Sequence, residues 1–496
     1  MAGGVRAAQR ARHRGAARHV RVTGLAVTGS RLTVASAILE LLGRHDVSRA
    51  FGIPGVHNLA YWDAEGVSLP RIIGVRHEQA AVYAADGLYR ATGDLAAALL
   101  TSGPGAANAL AAFGEAFVSG SPVLVLASEV GIALRSSGGP RGILHEMADQ
   151  GAMFEAFGAA ARRALSRQEA MASTVLALRD AWGPPPAGSY VGIPTDVLGE
   201  EWTSPIPHIP RLPAPGADPH DVEGLAELIA TSTRPVLWLG GGVVTADAEE
   251  AVRDLAQRLG APVVTSYAGR GLLAGDPLLV NAPVHEPEVE AVLSEADLLL
   301  VLGSGFDGMN TKNWRIALPD RRAAITLGAT IRQTVSFDAL VSADLGSALE
   351  SLAEVLDDMR VAVRPPWTDV SGIRPAIIRR LIADPRTAPG IGFVEAVDTG
   401  WPDDGVVVCD MAVAGYWVGG YSSQPRTRRL QYPVGWGTLG YALPAAIGPA
   451  SVGIPTLAVC GDGGPMFALG ELATYAQESL PITLLVVDDG GYGMLR

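Results

Sequence analysis

Apolar residues recur along this chain in two alternating patterns, short continuous runs and longer segments in which they repeat at helical spacing. Between residues 70 and 130, the runs RIIGV, LAAALL and PVLVLA alternate with AAVYAADGLYRA and AANALAAFGEAF. Short apolar runs indicate buried strands, and strands that alternate with helices are typical of a parallel sheet. The same alternation returns near residue 234 and near residue 404. The sequence therefore predicts an α/β protein with three doubly wound, mainly parallel-sheet domains.

The three blocks of alternating elements are separated by stretches without this pattern. We expect domains at residues 31–200, 218–360 and 372–496. The linker predicted at 201–217 contains prolines at 205, 207, 210, 213 and 215, and a proline-rich linker is extended. A second stretch with a looser pattern, residues 361–389, leads into the third block.

Charge and composition narrow the class of protein. Residues 1–31 contain seven arginines and no acidic residue, which favours a disordered basic leader at 1–30. The net charge of −13 argues against nucleic acid as a partner. The longest uncharged run, near residues 95–114, is interrupted by Ser-Gly-Pro-Gly, so we predict no membrane span. Two cysteines fit a reduced, cytoplasmic protein.

The segment CGDGG at 460–464 lies between two predicted strands. IPTLAV precedes it, a segment with helical spacing follows it, and ITLLVV then leads to DDGGYG at 488–493. Both turns are therefore expected at the carboxyl ends of parallel strands, where ligands bind. Glycines allow backbone N–H groups to approach a phosphate, and Asp462 together with an oxygen from the second turn suits Mg²⁺. The alternative is an ordinary βαβ unit with acidic, glycine-rich turns.

The spacing of these two turns resembles the thiamine-diphosphate signature, in which GDG is followed by a paired-asparagine turn. FGIPG at 51–55, RHEQAA at 76–81 and TSGPGAAN at 101–108 resemble the pyrimidine-binding domain of the same enzymes, and YPVGWGTLGYALPAAIGP at 432–449 resembles the segment that holds the cofactor's rings. The resemblance runs from about residue 33 to 496. It is closest to acetolactate-synthase-like large subunits and 2-oxo-acid decarboxylases. It implies pyrimidine-binding, middle and diphosphate-binding domains, in that order.

The resemblance also implies roles for single residues. Glu78 aligns with the family's catalytic glutamate, which hydrogen-bonds the pyrimidine ring nitrogen and favours the tautomer that removes the thiazolium proton. The Gly437 carbonyl is expected to receive the pyrimidine amino group, and Leu439 to bend the cofactor. The remaining expected cofactor contacts are Pro54, Asn108, Gly461, Asp462, Gly463, Gly464 and Tyr492, and the expected metal ligands are Asp462, Asp489 and Gly491.

Substrate-handling residues are less well defined by the sequence. Val56 stands where some decarboxylases have a polar proton-relay residue, and His57, His77 and His145 are candidates to replace it. Decarboxylation alone and decarboxylation followed by carboligation both remain open.

Gly240–Gly242 does not form the GxGxxG pattern, so we expect a structural middle domain without FAD. A nucleotide-binding oxidoreductase built on these glycines leaves Glu78 and the GDGG motif unexplained.

Two departures from the family pattern support a second hypothesis, a cofactor-binding homologue without turnover. Asp488 and Asp489 replace the usual asparagines, so two carboxylates and a diphosphate surround one divalent ion. The chain also stops at residue 496, where relatives usually continue with helices that close over the site, so we expect a truncated third domain. For the active enzyme, the family arrangement implies a homodimer or a dimer of dimers, with each site shared between two subunits.

Overall fold

A computed structural model of the protein describes residues 32–135, 141–328, 331, 335–491 and 493. The basic leader predicted at 1–30 and the predicted cofactor contact Tyr492 lie outside these residues. Within them, the chain forms three sheets in which all paired strands are parallel. This arrangement confirms the predicted fold class. The exact domain boundaries stay a prediction.

The first sheet has the strand order β2-β1-β3-β4-β6-β5 in the described residues. Its strands are β1 Arg49–Gly52, β2 Arg71–Gly74, β3 Ala96–Leu100, β4 Leu124–Glu129, β5 Ala160–Arg163 and β6 Ser189–Pro194. Its helices are α1 Val34–Arg44, α2 Leu59–Trp62, α3 Glu78–Thr92, α4 Pro104–Asn108, α5 Leu110–Val118, α6 Ala152–Glu155, α7 Arg167–Trp182 and α8 Thr195–Leu198. The central strands β3, β4 and β6 are buried along their whole length, because helices cover both faces of the sheet.

The second sheet has the order β11-β10-β9-β7-β8. Its strands are β7 Pro235–Leu239, β8 Val263–Thr265, β9 Leu298–Leu302, β10 Arg322–Ile325 and β11 Ala339–Val341, and its helices are α9 Pro219–Thr231, α10 Gly241–Thr245, α11 Glu249–Leu259, α12 Pro287–Glu295 and α13 Leu345–Asp358. A β-carbon at Gly240 would lie 2.3 Å from the Gly303 carbonyl oxygen. Close packing against the 303–304 turn therefore accounts for a glycine at this position without any ligand.

The third sheet has the order β13-β12-β14-β15. Its strands are β12 Val406–Cys409, β13 Leu430–Gln431, β14 Thr456–Gly461 and β15 Ile482–Val487, and the helices in this part of the chain are α14 Ile373–Ala383, α15 Ala388–Gly400, α16 Val413–Tyr421, α17 Ala442–Ala450 and α18 Glu471–Glu478. The stretch 361–389 contains α14, although its pattern looked looser than the rest. Ile377 and Leu381 on this helix pack with Trp238 and Val301 of the second sheet, so tertiary burial stabilises a helix with a weak apolar stripe.

The first and third domains share one apolar core, in which helix α3 packs on helix α17. A β-carbon at Gly87 would lie 2.1 Å from the Ala445 carbonyl oxygen, and one at Gly448 would lie 2.3 Å from the Ala84 carbonyl oxygen. The helices therefore approach closely because glycines stand at their crossing. This contact fixes the position of Glu78, at the start of α3, relative to the third domain.

No helix in the described ranges combines the length and the apolar composition that crossing a bilayer requires.

Candidate active site

Two acidic turns lie side by side at the carboxyl edge of the third sheet. Gly461, the last residue of β14, pairs with Val487, the last residue of β15. Asp462 therefore follows one strand where Asp488 and Asp489 follow its neighbour, and all three side chains are exposed. The predicted alignment of the two motifs is present in the fold.

Asp488 helps to form the second acidic turn. Asp488 Oδ1 accepts a hydrogen bond of 2.9 Å from the Gly490 amide, which closes the turn.

Among the described residues, no group of three or more His, Cys, Asp or Glu side chains has a metal-binding arrangement. Mg²⁺ commonly uses only one or two carboxylates together with substrate phosphates. Asp462 and Asp489 stay the predicted ligands of an ion that a diphosphate would also hold.

Glycines 463 and 464 lead from this edge into a short 3₁₀ turn, Gly464–Phe467. A β-carbon at Gly464 would lie 2.6 Å from Oδ2 of Asp410, so only glycine lets the turn pass this carboxyl group. Asp410 is fully buried, and its Oδ1 accepts hydrogen bonds from the amides of Met411 and Gly440. Its Oδ2 makes no hydrogen bond of ordinary geometry in the described chain. Burial raises the pKa of Asp410.

The first domain contributes Glu78 and Asn108 to its own carboxyl edge. Helix α3 begins at Glu78, and the Nδ1 atom of His77 caps it by accepting the Gln79 amide. Asn108 ends α4 and donates from Nδ2 to Glu78 Oε2 over 3.0 Å. Pro54 lies exposed in the loop after β1 at the same edge. A carboxylate with a neutral donor on one oxygen and its other oxygen available suits a pyrimidine nitrogen.

A histidine cluster lies at the same edge. The Nδ1 atoms of His57 and His145 are 3.2 Å apart, and the buried Ser102 hydroxyl lies 2.9 Å and 3.1 Å from them. His57 has its pKa lowered by burial and then by the neighbouring His145. At this separation at most one of the two facing Nδ1 atoms can carry a hydrogen. His77, the third candidate, caps α3 instead and does not join the cluster.

The segment that carries Gly437 and Leu439 precedes helix α17. Gly437 has a φ of 75° and is exposed, and Leu439 is about half exposed at 51%. An apolar side chain this accessible beside the GDGG turn suits the predicted contact with a cofactor ring. The three amides of residues 435–437 all point to the carboxylate of Glu115 in the first domain.

Four polar residues at these edges were not predicted as site residues from the sequence: Ser102, Glu115, Asp410 and Glu471. Ser102 lies within the quoted motif TSGPGAAN, so its position offered a signal. Glu115 and Glu471 are helical acids, and sequence gives no indication that such residues contact a distant domain. Only the fold shows what they bind.

The described residues fit thiamine diphosphate with Mg²⁺. The first domain presents a carboxylate and an amide, and the third presents two acids, a glycine turn and an exposed leucine.

Comparison with known proteins identifies the same family. Three models match: thiamine pyrophosphate enzyme, N-terminal TPP binding domain (residues 32–153), the central domain (222–352) and the C-terminal TPP binding domain (410–496). A probable 2-ketoarginine decarboxylase of Pseudomonas aeruginosa is 33% identical over 480 residues, covering 94% of this chain and 83% of the relative. An acetolactate synthase of Mycobacterium avium is 30% identical over 501 residues, covering 95% and 77%. The chain belongs to the thiamine-pyrophosphate-dependent enzyme family.

Proposed function

We propose that the protein catalyses the Mg²⁺-dependent decarboxylation of a 2-oxo acid to an aldehyde, with thiamine diphosphate as its cofactor. The observation that carries this proposal is the Glu78–Asn108 hydrogen bond on one sheet edge, combined with the adjacent acidic turns at the edge of the third sheet. Relatives named as a 2-ketoarginine decarboxylase and an acetolactate synthase support the substrate class.

Thiamine diphosphate, when bound, supplies an acidic thiazolium carbon that adds to ketones and holds the electron pair left by departing CO₂. In our proposal, Glu78 would share a proton with the pyrimidine nitrogen, while Asn108 holds the Glu78 carboxylate through one oxygen. The backbone of Gly461, Gly463 and Gly464 would hold the diphosphate. Asp462 and Asp489 would ligate Mg²⁺ through their side chains, and Gly491 would ligate it through its carbonyl.

The histidine cluster favours proton addition over carboligation. In the overall reaction the bond between the ketone carbon and the carboxylate breaks, CO₂ leaves, and a proton takes its place on that carbon to give an aldehyde. Such a step needs an acid near the reacting carbon. His57 and His145, joined through Ser102, form a hydrogen-bonded pair at the edge that also carries Glu78. We propose that this pair delivers the proton.

We also propose a homodimer, or a dimer of dimers, in which each site combines Glu78 of one subunit with Asp462 of another. Four large apolar side chains directly after the GDGG motif are exposed: Met466, Phe467, Leu469 and Leu472. Large exposed apolar side chains grouped on one segment are typical of a protein interface. A second copy of the chain is the expected partner, because the family's shared site brings a first domain against this surface.

Both cysteines, Cys409 and Cys460, are free and buried. Free thiols fit a reducing compartment, so we propose a cytoplasmic location.

For the middle domain we propose a structural role without FAD, since the packing of Gly240 against the 303–304 turn explains that glycine without a nucleotide.

CO₂ release with a panel of 2-oxo acids tests the proposed function. The panel contains pyruvate, branched-chain 2-oxo acids and 2-ketoarginine, with thiamine diphosphate and Mg²⁺ present. Aldehyde and carboligation products are measured in the same reactions. We expect CO₂ and aldehyde in equal amounts from at least one acid, and none without Mg²⁺. Cofactor binding without CO₂ release from any acid would instead support the homologue without turnover.

The histidine cluster has its own test within this assay. We expect His57→Asn to lower aldehyde formation by about 100-fold, the scale of general acid catalysis. His77→Asn is the matched control, because asparagine also caps helices and His77 lies outside the cluster. Equal losses in both variants would remove the proposed role of His57.

A further inference from the structure

Each of the two cofactor-facing domains holds a loop of the other domain through a buried carboxylate. Glu115 of the first domain accepts three backbone amides from residues 435–437, and Glu471 of the third domain accepts the amides of Arg76 and His77. We propose that Glu115 and Glu471 are positioning residues, which orient the segment bearing Gly437 and the start of helix α3 bearing Glu78. This inference rests on the proposed cofactor site.

Glu115 is fully buried on helix α5. Its Oε1 accepts hydrogen bonds from Gly435 N at 3.3 Å, Ser119 Oγ at 2.9 Å and Arg90 Nη2 at 3.2 Å. Its Oε2 accepts from Trp436 N at 2.8 Å and Gly437 N at 3.1 Å. Three successive amides that converge on one anion form a compact backbone nest. The conformation of residues 435–437 therefore depends on the carboxylate.

The sequence of the segment matches this arrangement. A β-carbon at Gly435 would lie 2.1 Å from the Ser119 hydroxyl oxygen, so glycine permits the approach to helix α5. Gly437 adopts a positive φ of 75°, which glycine tolerates without strain. Trp436 packs edge-on against Phe157, with ring centroids 5.2 Å apart. The loop is thus shaped to fit against the first domain while Gly437 stays exposed.

Glu471 makes the reciprocal contact from helix α18. Its side chain is 1% exposed, and its Oε1 accepts from Arg76 N at 2.8 Å and His77 N at 3.1 Å. Its Oε2 accepts from Thr474 Oγ1 at 2.7 Å. On the other side of Glu78, Gln79 Nε2 donates to the Phe467 carbonyl over 2.8 Å. The residues on both sides of Glu78 are therefore fixed to the third domain.

A role in domain docking alone would also explain buried carboxylates, so the test needs a control that is buried but contacts neither residues 435–437 nor residues 76–77. Glu129 is 2% exposed, forms ion pairs with Arg135 and Arg163, and accepts the Tyr190 hydroxyl. All these partners belong to the first domain. Glu129→Gln removes a buried charge without touching residues 435–437 or 76–77.

The decisive measurement compares two probes with the full-length protein and Mg²⁺. Thiamine diphosphate uses both the diphosphate turn and the ring-holding segment, whereas inorganic pyrophosphate uses only the turn. We expect Glu115→Gln to weaken thiamine diphosphate binding by about tenfold or more, the scale of one lost charge-assisted hydrogen bond, and to leave pyrophosphate binding unchanged. Glu129→Gln is expected to change neither. Equal losses for both probes, or equal losses in both variants, would overturn the positioning role of Glu115.

The effect of Glu471→Gln is measured as hydrogen exchange on the bound cofactor, which depends on Glu78, and not as cofactor affinity. At saturating cofactor, hydrogen–deuterium exchange at the thiazolium carbon is expected to slow by about tenfold or more, since Glu78 is no longer held in place. An exchange rate equal to that of Glu129→Gln would overturn the role of Glu471.

Backbone amide exchange in the cofactor-free protein separates this inference from the proposed function. We expect the amides of residues 435–437 to exchange faster in Glu115→Gln, and those of residues 76–77 in Glu471→Gln, relative to Glu129→Gln. If glutamine at position 115 prevents folding, Glu115→Asp is used instead. Aspartate keeps the negative charge beside Arg90, but its shorter side chain no longer reaches the amides of residues 435–437, so we expect these amides to exchange faster in this variant too. A parent chain that fails to bind thiamine diphosphate would refute the proposed function, whereas unchanged amide exchange would refute the positioning contacts.

Discussion

The side-chain amide of Asn108 donates a hydrogen bond to the Glu78 carboxylate over 3.0 Å and so joins the end of helix α4 to the start of helix α3. Asn108 is exposed and Glu78 is half-buried, so the pair faces outward from the sheet edge. Because an amide donor occupies only one carboxylate oxygen, the other oxygen remains able to share a proton with a ligand. The pair thus combines a fixed orientation with an available acid.

Replacing Glu78 by glutamine keeps the size of the side chain but removes its ability to share a proton. We expect Glu78→Gln to bind thiamine diphosphate and to slow deuterium exchange at the thiazolium carbon by about 100-fold or more, as for loss of an acid–base group. The control is Glu169→Gln, which changes an acid in the first turn of a different helix, α7. Exchange at the parental rate in Glu78→Gln would mean that Glu78 only stabilises the start of its helix.

Local patterns in the sequence predicted the features that neighbouring residues determine. The start of α3 at Glu78 and the parallel strands that flank the GDGG turn follow from apolar spacing and turn chemistry. Helix α14 was not predicted, since its apolar stripe is weak and its stability comes from packing on the second sheet. Tertiary contacts override propensity in such segments.

The carboxylates at the domain contact were not predictable for a different reason. Glu115 and the Gly435 amide are 320 residues apart in sequence, and Glu471 and the Arg76 amide are 395 apart. Both glutamates occupy helical positions where an acid usually faces solvent. Their burial follows from how two domains pack, which no local pattern contains.

Acidification tests the environment of His57. Burial and the adjacent His145 lower the pKa of His57, so below the ordinary histidine pKa of about 6.5 the unfolded chain binds a proton that the folded chain resists. Stability is therefore lost as pH falls from the ordinary value towards the lowered one. We expect the urea midpoint to fall less between pH 7.5 and pH 5.5 in His57→Asn than in the parent. If the urea midpoint of His57→Asn falls as much as that of the parent over this pH range, His57 is not responsible for the loss of stability.

Asp489 stands where the family usually has asparagine, and it adds a negative charge beside the expected diphosphate. We expect Asp489→Asn to tighten Mg²⁺-dependent thiamine diphosphate binding by about two- to fivefold, the scale of an exposed charge interaction. Asp488→Asn is the matched control, because asparagine also accepts the Gly490 amide that Asp488 binds. If both variants bind the cofactor equally, the charge at position 489 has no specific role.

The crossing of α3 and α17 depends on glycine. A β-carbon at Gly87 would lie 2.1 Å from the carbonyl oxygen of Ala445, and backbone atoms cannot move aside cheaply. We expect Gly87→Ala to lower the free energy of unfolding by about 1–3 kcal/mol, as in overpacked cores, and to lower the thermal midpoint. In contrast, a β-carbon at Gly224, inside helix α9, would meet no atom within 4 Å apart from its chain neighbours and the backbone of its own helix, and we expect Gly224→Ala to stabilise the protein by about 0.5–1 kcal/mol.

Mixing two inactive variants tests whether active sites are shared between subunits. Glu78→Gln removes a first-domain group, and Asp462→Ala removes a third-domain group. In a dimer with shared sites, a mixed pair contains one site with both defects and one site with neither. Random reassociation makes half the dimers mixed, so about a quarter of the parental activity is expected to return. The exposed apolar residues after the GDGG motif, Met466 and Phe467 among them, are expected to become buried in the same dimer.

The control mixture combines Glu78→Gln with Glu78→Ala. Both variants lack the same group, so no arrangement of subunits restores a site, and any activity in this mixture measures contamination or residual turnover. If each site is instead built within one chain, the mixture of Glu78→Gln with Asp462→Ala remains as inactive as this control. Subunit exchange is monitored independently by tagging one variant and measuring its co-purification with the other. Confirmed exchange without recovery would therefore assign Glu78 and Asp462 of one chain to the same site.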